Sequence, residues 1–166
     1  MKRPVRANGD ASDGAFQLED FLPHRLSVAA ETVSRLINRQ YLARSGLSMP
    51  EWRLLAAVGR TGVLSPTVAG EQTSMDKVKV SRAAASLVSR GLLRQGPDPN
   101  DGRGRLLRLT RKGVTLYNGV APTAREIEDT LSAGLSKAEA GTLQKALLKL
   151  SEHAQSLMEG ESGEEA

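Results

Sequence analysis

The chain has 166 residues, 23 Lys and Arg against 19 Asp and Glu for a net charge of +4, and no cysteine. That length suits one domain, or one dimer-building unit, with a real core. The missing thiols exclude disulfides, thiolate metal sites and cysteine-based peroxide sensing.

No apolar run approaches the ~20 residues of a membrane-spanning helix, and Lys2, Arg3 and Arg6 are not followed by an apolar segment. The expected location is the cytoplasm, with no membrane partner. Charge is partitioned along the chain: residues 1–71 carry +2, 72–112 carry +7 and 113–166 carry −5. A surface that neutralises phosphates needs such a local excess, because released counterions supply much of its affinity.

Residues 1–17 are polar, glycine-rich and aperiodic, and read as a flexible arm. From Glu19 to about Arg44, Leu22, Leu26, Ala29, Val33, Leu36, Ile37 and Tyr41 recur in steps of three and four, with Pro23 in the first turn and Gly46 as the stop. Ser48-Met-Pro-Glu51 is a capping box that opens a second helix through Trp52, Leu55, Ala56 and Val58 to about Arg60. Trp52 reads as a core anchor, the alternative being a wall of a ligand pocket. Thr61 to Leu64 predicts a turn and a short strand.

Ser65 and Pro66 supply the N-cap and first helical residue of a short helix that runs to about Gln72. Ser74 is the expected cap of a second, in which Val80, Ala84, Leu87 and Val88 keep helical spacing and which Gly91 closes in a left-handed conformation. Two helices across a short turn make a helix-turn-helix. With Val80 inward, Val78, Lys79, Ser81, Arg82, Ala85 and Ser86 turn outward or to the flanks. Long donors followed by small residues suit a helix lying in a groove about 12 Å wide. An ordinary solvated stripe is the competing reading.

Leu92–Gln95 and Arg105–Leu109 read as two strands around a turn-rich tip, forming a wing. Arg103 sits at its tip between glycines and Arg105 at the base of the returning strand; minor grooves attract arginine through their negative potential. Asp101 is expected to hold an arginine extended, against the alternative of a solvated turn aspartate. Thr110 caps a long helix through Val114, Tyr117, Ala121, Ala124, Ile127 and Leu131, which Pro122 should kink or divide near Val120 and Gly134 should end. Ser136-Lys-Ala-Glu139 is another capping box, opening a last helix with a seam of Leu143, Leu147, Leu150, Ala154 and Leu157. Residues 159–166 read as an acidic tail. The terminal helices carry apolar seams without a sheet to cover them, so they are expected to pack on each other and on a symmetry mate.

The run MDKVKVSRAAASLVSRGLL, with DPNDGRGRLLRLT and a capped helix behind it, resembles the multiple antibiotic resistance regulator (MarR) family of winged-helix transcription factors. Met75-Asp76-Lys77, Val80-Ser81-Arg82, Gly91-Leu92, Asp101-x-Arg103 and Leu109-Thr110 carry the resemblance, which extends over roughly residues 20–158. It implies a mainly α fold: a winged helix-turn-helix module at 48–110 and dimerisation helices at 19–45 and 111–158, within one domain spanning 18–158. One departure stands out. Ala69-Gly70 replace a bulkier apolar residue and alanine, and an interior glycine costs about 1 kcal/mol of helix propensity.

The expected function is that of a transcriptional regulator, a ligand-responsive repressor binding a palindromic operator in double-stranded DNA as a homodimer, with half-sites about 10 bp apart. Lys79, Ser81, Arg82 and Val78 would face the major groove, Thr73, Ser74 and Lys77 the phosphates, and Arg103, backed by Arg105, the minor groove. The family's ligands are often phenolic acids. His24, Arg35, Tyr41, Trp52 and Arg53 are the candidates for a small aromatic or phenolic effector, because an aromatic wall and a cation suit an aromatic carboxylate. No cofactor, metal or enzymatic site is expected: His24 and His153 are isolated, Asp98 and Asp101 lack calcium-loop spacing, and there is no phosphate loop or nucleophile elbow. The alternative is a winged-helix protein-interaction module without DNA readout.

Overall fold

A computed structural model describes residues 16–39, 43–99 and 101–164; most of the expected N-terminal arm, and Tyr41, lie outside them. A single turn at Leu18–Asp20 leads into α1 (Leu22–Ile37), and α2 (Ala43–Ser45) is one short turn before α3 (Met49–Thr61). Then follow β1 (Val63–Leu64), α4 (Pro66–Thr73), α5 (Lys77–Ser89), β2 (Leu93–Asp98), β3 (Asp101–Leu109), α6 (Arg111–Ser132) and α7 (Lys137–Glu164). This is a winged helix-turn-helix flanked by long helices.

The helix starts are set locally. The Ser48 hydroxyl accepts from the Glu51 N–H while the Glu51 carboxylate accepts from the Ser48 N–H at 2.7 Å. Ser136 and Glu139 repeat the arrangement at α7, with the Ser136 N–H donating to Glu139 at 2.8 Å. Ser65 caps α4 and Thr110 caps α6. Gly46 and Gly91 adopt φ of +64° and +67°, as stops after α2 and α5 require.

The cap of α5 differs from expectation. Ser74 is the left-handed C-cap of α4, with φ of +52°, and Asp76 caps α5 by accepting from the Lys79 N–H at 2.7 Å. Ser74 takes the reversal that the turn needs, and the carboxylate two residues on is left to meet the new helix. Gly70 explains itself in the same turn: its carbonyl accepts the Met75 N–H, and a Cβ there would sit 3.0 Å from the Met75 carbonyl oxygen. The glycine that weakens α4 as a helix lets α4 and α5 close.

The core lies between α3, α4, α5 and the sheet, around Leu54, Leu55, Val58, Val80, Leu87, Leu93 and Leu107. Ala83 and Ala84 complete the buried face of α5, whereas Val88, expected inward, is 36% exposed at its edge. The antiparallel sheet has the order β1-β3-β2, with Leu64 opposite Leu107 and Leu93 opposite Leu109. Its hairpin is longer than expected, pairing as far as Asp98 with Asp101, so Arg103 belongs to β3 and not to the tip loop. Pro97 is tolerated because β2 is an edge strand.

Pro122 does not divide α6, which is one element from Arg111 to Ser132; Asn118, whose carbonyl loses its helical donor, lies in an exposed position. Gly134 follows the C-cap Ala133, where the helix was expected to end. The stretch read as an acidic tail from residue 159 is helical as far as Glu164. At the other end of α6, Gly113 is buried against the sheet base, where a Cβ would overlap the Leu92 carbonyl.

α1 buries no residue. On α7, Leu143, Leu147, Leu150 and Leu157 are 38–57% exposed. Ile37 at the end of α1 packs against the core, but Leu22 and Val28 on α1 and the α7 seam are left exposed by the other described residues.

Candidate nucleic-acid interface

The outer face of α5 follows from what its inner face buries. With Val80, Ala83, Ala84 and Leu87 packed inward, rotation of about 100° per residue places Val78, Arg82 and Ala85 opposite them. Val78 is 58% exposed, and Lys77, Lys79, Ser81 and Arg82 are exposed as well. Lys77 and Ser81 border a cavity of about 590 Å³ between α4, α5 and β2, together with Thr67 and Gln95. Lys79 and Arg82 border a smaller cleft toward the start of α3. The five side chains form one continuous surface.

Its charge is less one-sided than the sequence suggests. Asp76 Oδ2 lies 3.0 Å from Lys79 Nζ, and the Lys79 backbone N–H, with the Lys79 side chain, holds the Asp76 carboxyl below the usual carboxylate range. Arg82 has no ion-pair partner among the described residues. Asp76 is the residue that sequence reasoning missed; the signal was present, since aspartate is as good a cap as serine.

The Thr73 hydroxyl donates to the Ala69 carbonyl of its own helix. Ser74 is exposed at the end of α4, two residues before the N-cap of α5.

On the wing, Arg105 is exposed opposite Pro97. Arg103 falls in β3, and its side chain is outside the described set. The absent side chain of Gly104 makes room for two aspartates: a Cβ there would lie 2.9 Å from Asp98 Cβ and 3.0 Å from Asp101 Oδ2. The packing of the hairpin itself keeps this position small.

Beneath the surface, Glu51 is 8% exposed. Burial disfavours its charged form. The Ser48 N–H, the Ser86 and Ser48 hydroxyls and the Arg90 guanidinium outweigh this and hold the carboxyl below the usual range. Arg90 Nη1 lies 3.4 Å from Glu51 Oε1.

Of the described effector candidates, only Trp52 and Arg53 line one cavity together. Trp52 is half-buried and stacked on Tyr117 at 6.3 Å between ring centroids. With Arg53, Arg60 and Gln72 these two border an open cavity of about 510 Å³. His24 and Arg35 belong to α1 and do not line it; Arg35 is exposed beside Glu31. Tyr41 lies outside the described residues. Sequence reasoning passed over Arg60 and Tyr117, the latter because its spacing read as core.

A family model described as the MarR family matches residues 45–104, the span from the end of α2 into the wing. The crystal structure of a probable transcriptional regulator from Pseudomonas aeruginosa is 30% identical and superposes with a TM-score of 0.74, covering 81% of this chain and 99% of that one. The chain belongs to the MarR family. Another member, a variant of MarR from E. coli crystallised with operator DNA, is 25% identical with a TM-score of 0.72, over 78% of this chain and 92% of that one. BpsR from Bordetella bronchiseptica, whose DNA binding is regulated by 6-hydroxynicotinic acid, is 26% identical with a TM-score of 0.72, over 78% and 98%. MarR family members are transcriptional regulators and not enzymes, and no helix among the described residues is long and apolar enough to cross a membrane.

Glu51 gives a pH signature for the bracing of this module. Its folded-state pKa is lowered, so its stabilisation is full above the unfolded value of about 4.5 and is lost as pH falls through the folded value. Glu51→Gln is expected to lower unfolding free energy at neutral pH by about 1–3 kcal/mol, with the gap to the unsubstituted chain closing in acid. Urea titrations from pH 7 down to pH 3 check this; a gap that stays constant with pH counts against a charged Glu51.

Proposed function

We propose that this MarR family regulator is a DNA-binding repressor that acts as a homodimer on a palindromic operator. α5 enters the major groove with Val78, Lys79, Ser81 and Arg82 toward the base edges and Lys77 on phosphate. Arg103 enters the minor groove from the wing, held extended by Asp101, and Arg105 follows it on the same strand. The observation that carries the reading is the exposed Lys77–Arg82 surface on a helix whose opposite face is locked into the core. The operator complex of MarR, with the same fold, supports it.

The dimer is supported by the apolar residues left exposed on α1 and α7, among them Leu22, Val28, Leu143, Leu147 and Leu157. Soluble monomers seldom leave so many large apolar side chains along their longest helices uncovered. A two-fold pairing through these helices would set two copies of α5 one duplex turn apart. Regulation by a small aromatic acid is supported by BpsR. In this chain, Arg53 and Arg60 beside the Trp52–Tyr117 stack offer cations next to an aromatic wall. A ligand favouring the form with misaligned α5 helices would weaken DNA binding by its differential affinity.

Arg82→Ala and Arg103→Ala are each expected to weaken binding to a duplex selected from a random library by about 1–3 kcal/mol. Titrations across a salt series test this, and a flat salt dependence in the unsubstituted chain would favour a protein-interaction module instead. Leu147→Glu with Leu150→Glu should shift the chain from dimer to monomer in analytical ultracentrifugation; an unaltered sedimentation coefficient refutes the α7 assignment. With 6-hydroxynicotinic acid and benzoate as probes, the melting temperature should rise and the gel shift diminish, effects that Arg53→Ala should reduce. No response to either probe leaves the cavity without an aromatic-acid role.

A further inference from the structure

The C-terminal half of α5 is held by more than apolar packing. Glu51 uses its two oxygens for different elements. Oε2 accepts the Ser48 N–H at 2.7 Å and the Ser48 hydroxyl at 2.8 Å, which completes the cap of α3. Oε1 accepts the Ser86 hydroxyl of α5 and, at 3.4 Å, Nη1 of Arg90, the C-cap of α5. A cap needs only the first set. In the matching box at α7, Ser136 contacts one oxygen of Glu139, and among the described residues no other element joins in.

Arg90 extends the junction. Its Nη1 also donates to the Gly46 carbonyl at 2.9 Å, in the turn where the chain arrives from α2, and its own carbonyl accepts Lys112 Nζ at 3.0 Å from the first turn of α6. The end of α5 is thus fastened to the segments leading from one long helix and into another. Ser86 lies one turn beyond Arg82, and both line the cleft shared with Ser48, Glu51 and Lys79. Val80 and Leu87 seat the buried face of α5 in the core, and Ala83 and Ala84 between them add little side chain. Ser86 and Arg90 add directional bonds to this apolar contact at the C-terminal end of the helix.

We infer that Glu51 is a positioning residue for DNA reading: through Ser86 and Arg90 it fixes the rotation of α5 about its own axis, and with it the direction of Arg82 and Val78. This rests on α5 being the recognition helix. A rotational error displaces every base contact but leaves the charge near the phosphates almost unchanged, so it acts on discrimination more than on overall attraction.

The experiment uses the full chain, a duplex selected from a random library and an unrelated duplex, at a temperature well below the melting transition of every variant. Ser86→Ala and Arg90→Met cut the link to α5 and spare the cap; Ser48→Ala damages the cap and spares the link. The first two are expected to lower the ratio of specific to non-specific affinity by about tenfold. Ser48→Ala should lower the melting temperature and leave that ratio as it was. Because the loss of the Arg90 charge affects both duplexes alike, it cancels in the ratio. An unchanged ratio in Ser86→Ala and Arg90→Met, or an equal fall in Ser48→Ala, overturns the inference. Absence of salt-dependent binding by the unsubstituted chain overturns instead the assignment of DNA binding.

Discussion

A helix of 13 residues has little stability of its own in water, so α5 exists as a helix because one of its faces is buried. That face is made of Val80, Ala83, Ala84 and Leu87, fitted against α3, α4 and the sheet. The opposite face carries Val78, Lys79, Ser81 and Arg82 into solvent. The same burial that forms the helix therefore decides which residues it presents. Val80 and Leu87 seat the buried face in the core, and the polar contacts of Glu51, Ser86 and Arg90 add directional bonds to it.

Charge and apolar surface are separated along the molecule. The reading module holds the basic excess, while residues 113–166 carry −5 and much of the uncovered apolar surface of α7. On the proposed function, phosphate would repel the segment that carries this negative charge and attract the basic module. Apolar residues in the same region have no use toward DNA and suit contact with protein. The partition gives each end of the chain a different kind of surface.

The wing shows how local chemistry and function share positions. Gly104, beside Arg103, makes room for Asp98 and Asp101. Gly70 has a comparable double character: poor for α4 alone, and required by the close turn into α5. In both cases a residue that looks unfavourable in its own element is explained by a neighbouring one.

What the sequence determined by itself was whatever rests on contacts within three or four residues. Ser48 with Glu51, Ser136 with Glu139, Ser65, Thr110 and the stops at Gly46 and Gly91 could be read directly, because caps and stops are local geometry. The order of elements and the outward set on α5 followed from their spacing. Tertiary structure decided the rest. Asp76 displaced Ser74 as the cap once the turn required a left-handed residue, Ala83 displaced Val88 once the direction of α3 was fixed, and the strands of the wing extended until Arg103 lay within one. The second oxygen of Glu51 finds its partners 35 and 39 residues away, at a distance where periodicity carries no information and only packing brings side chains together.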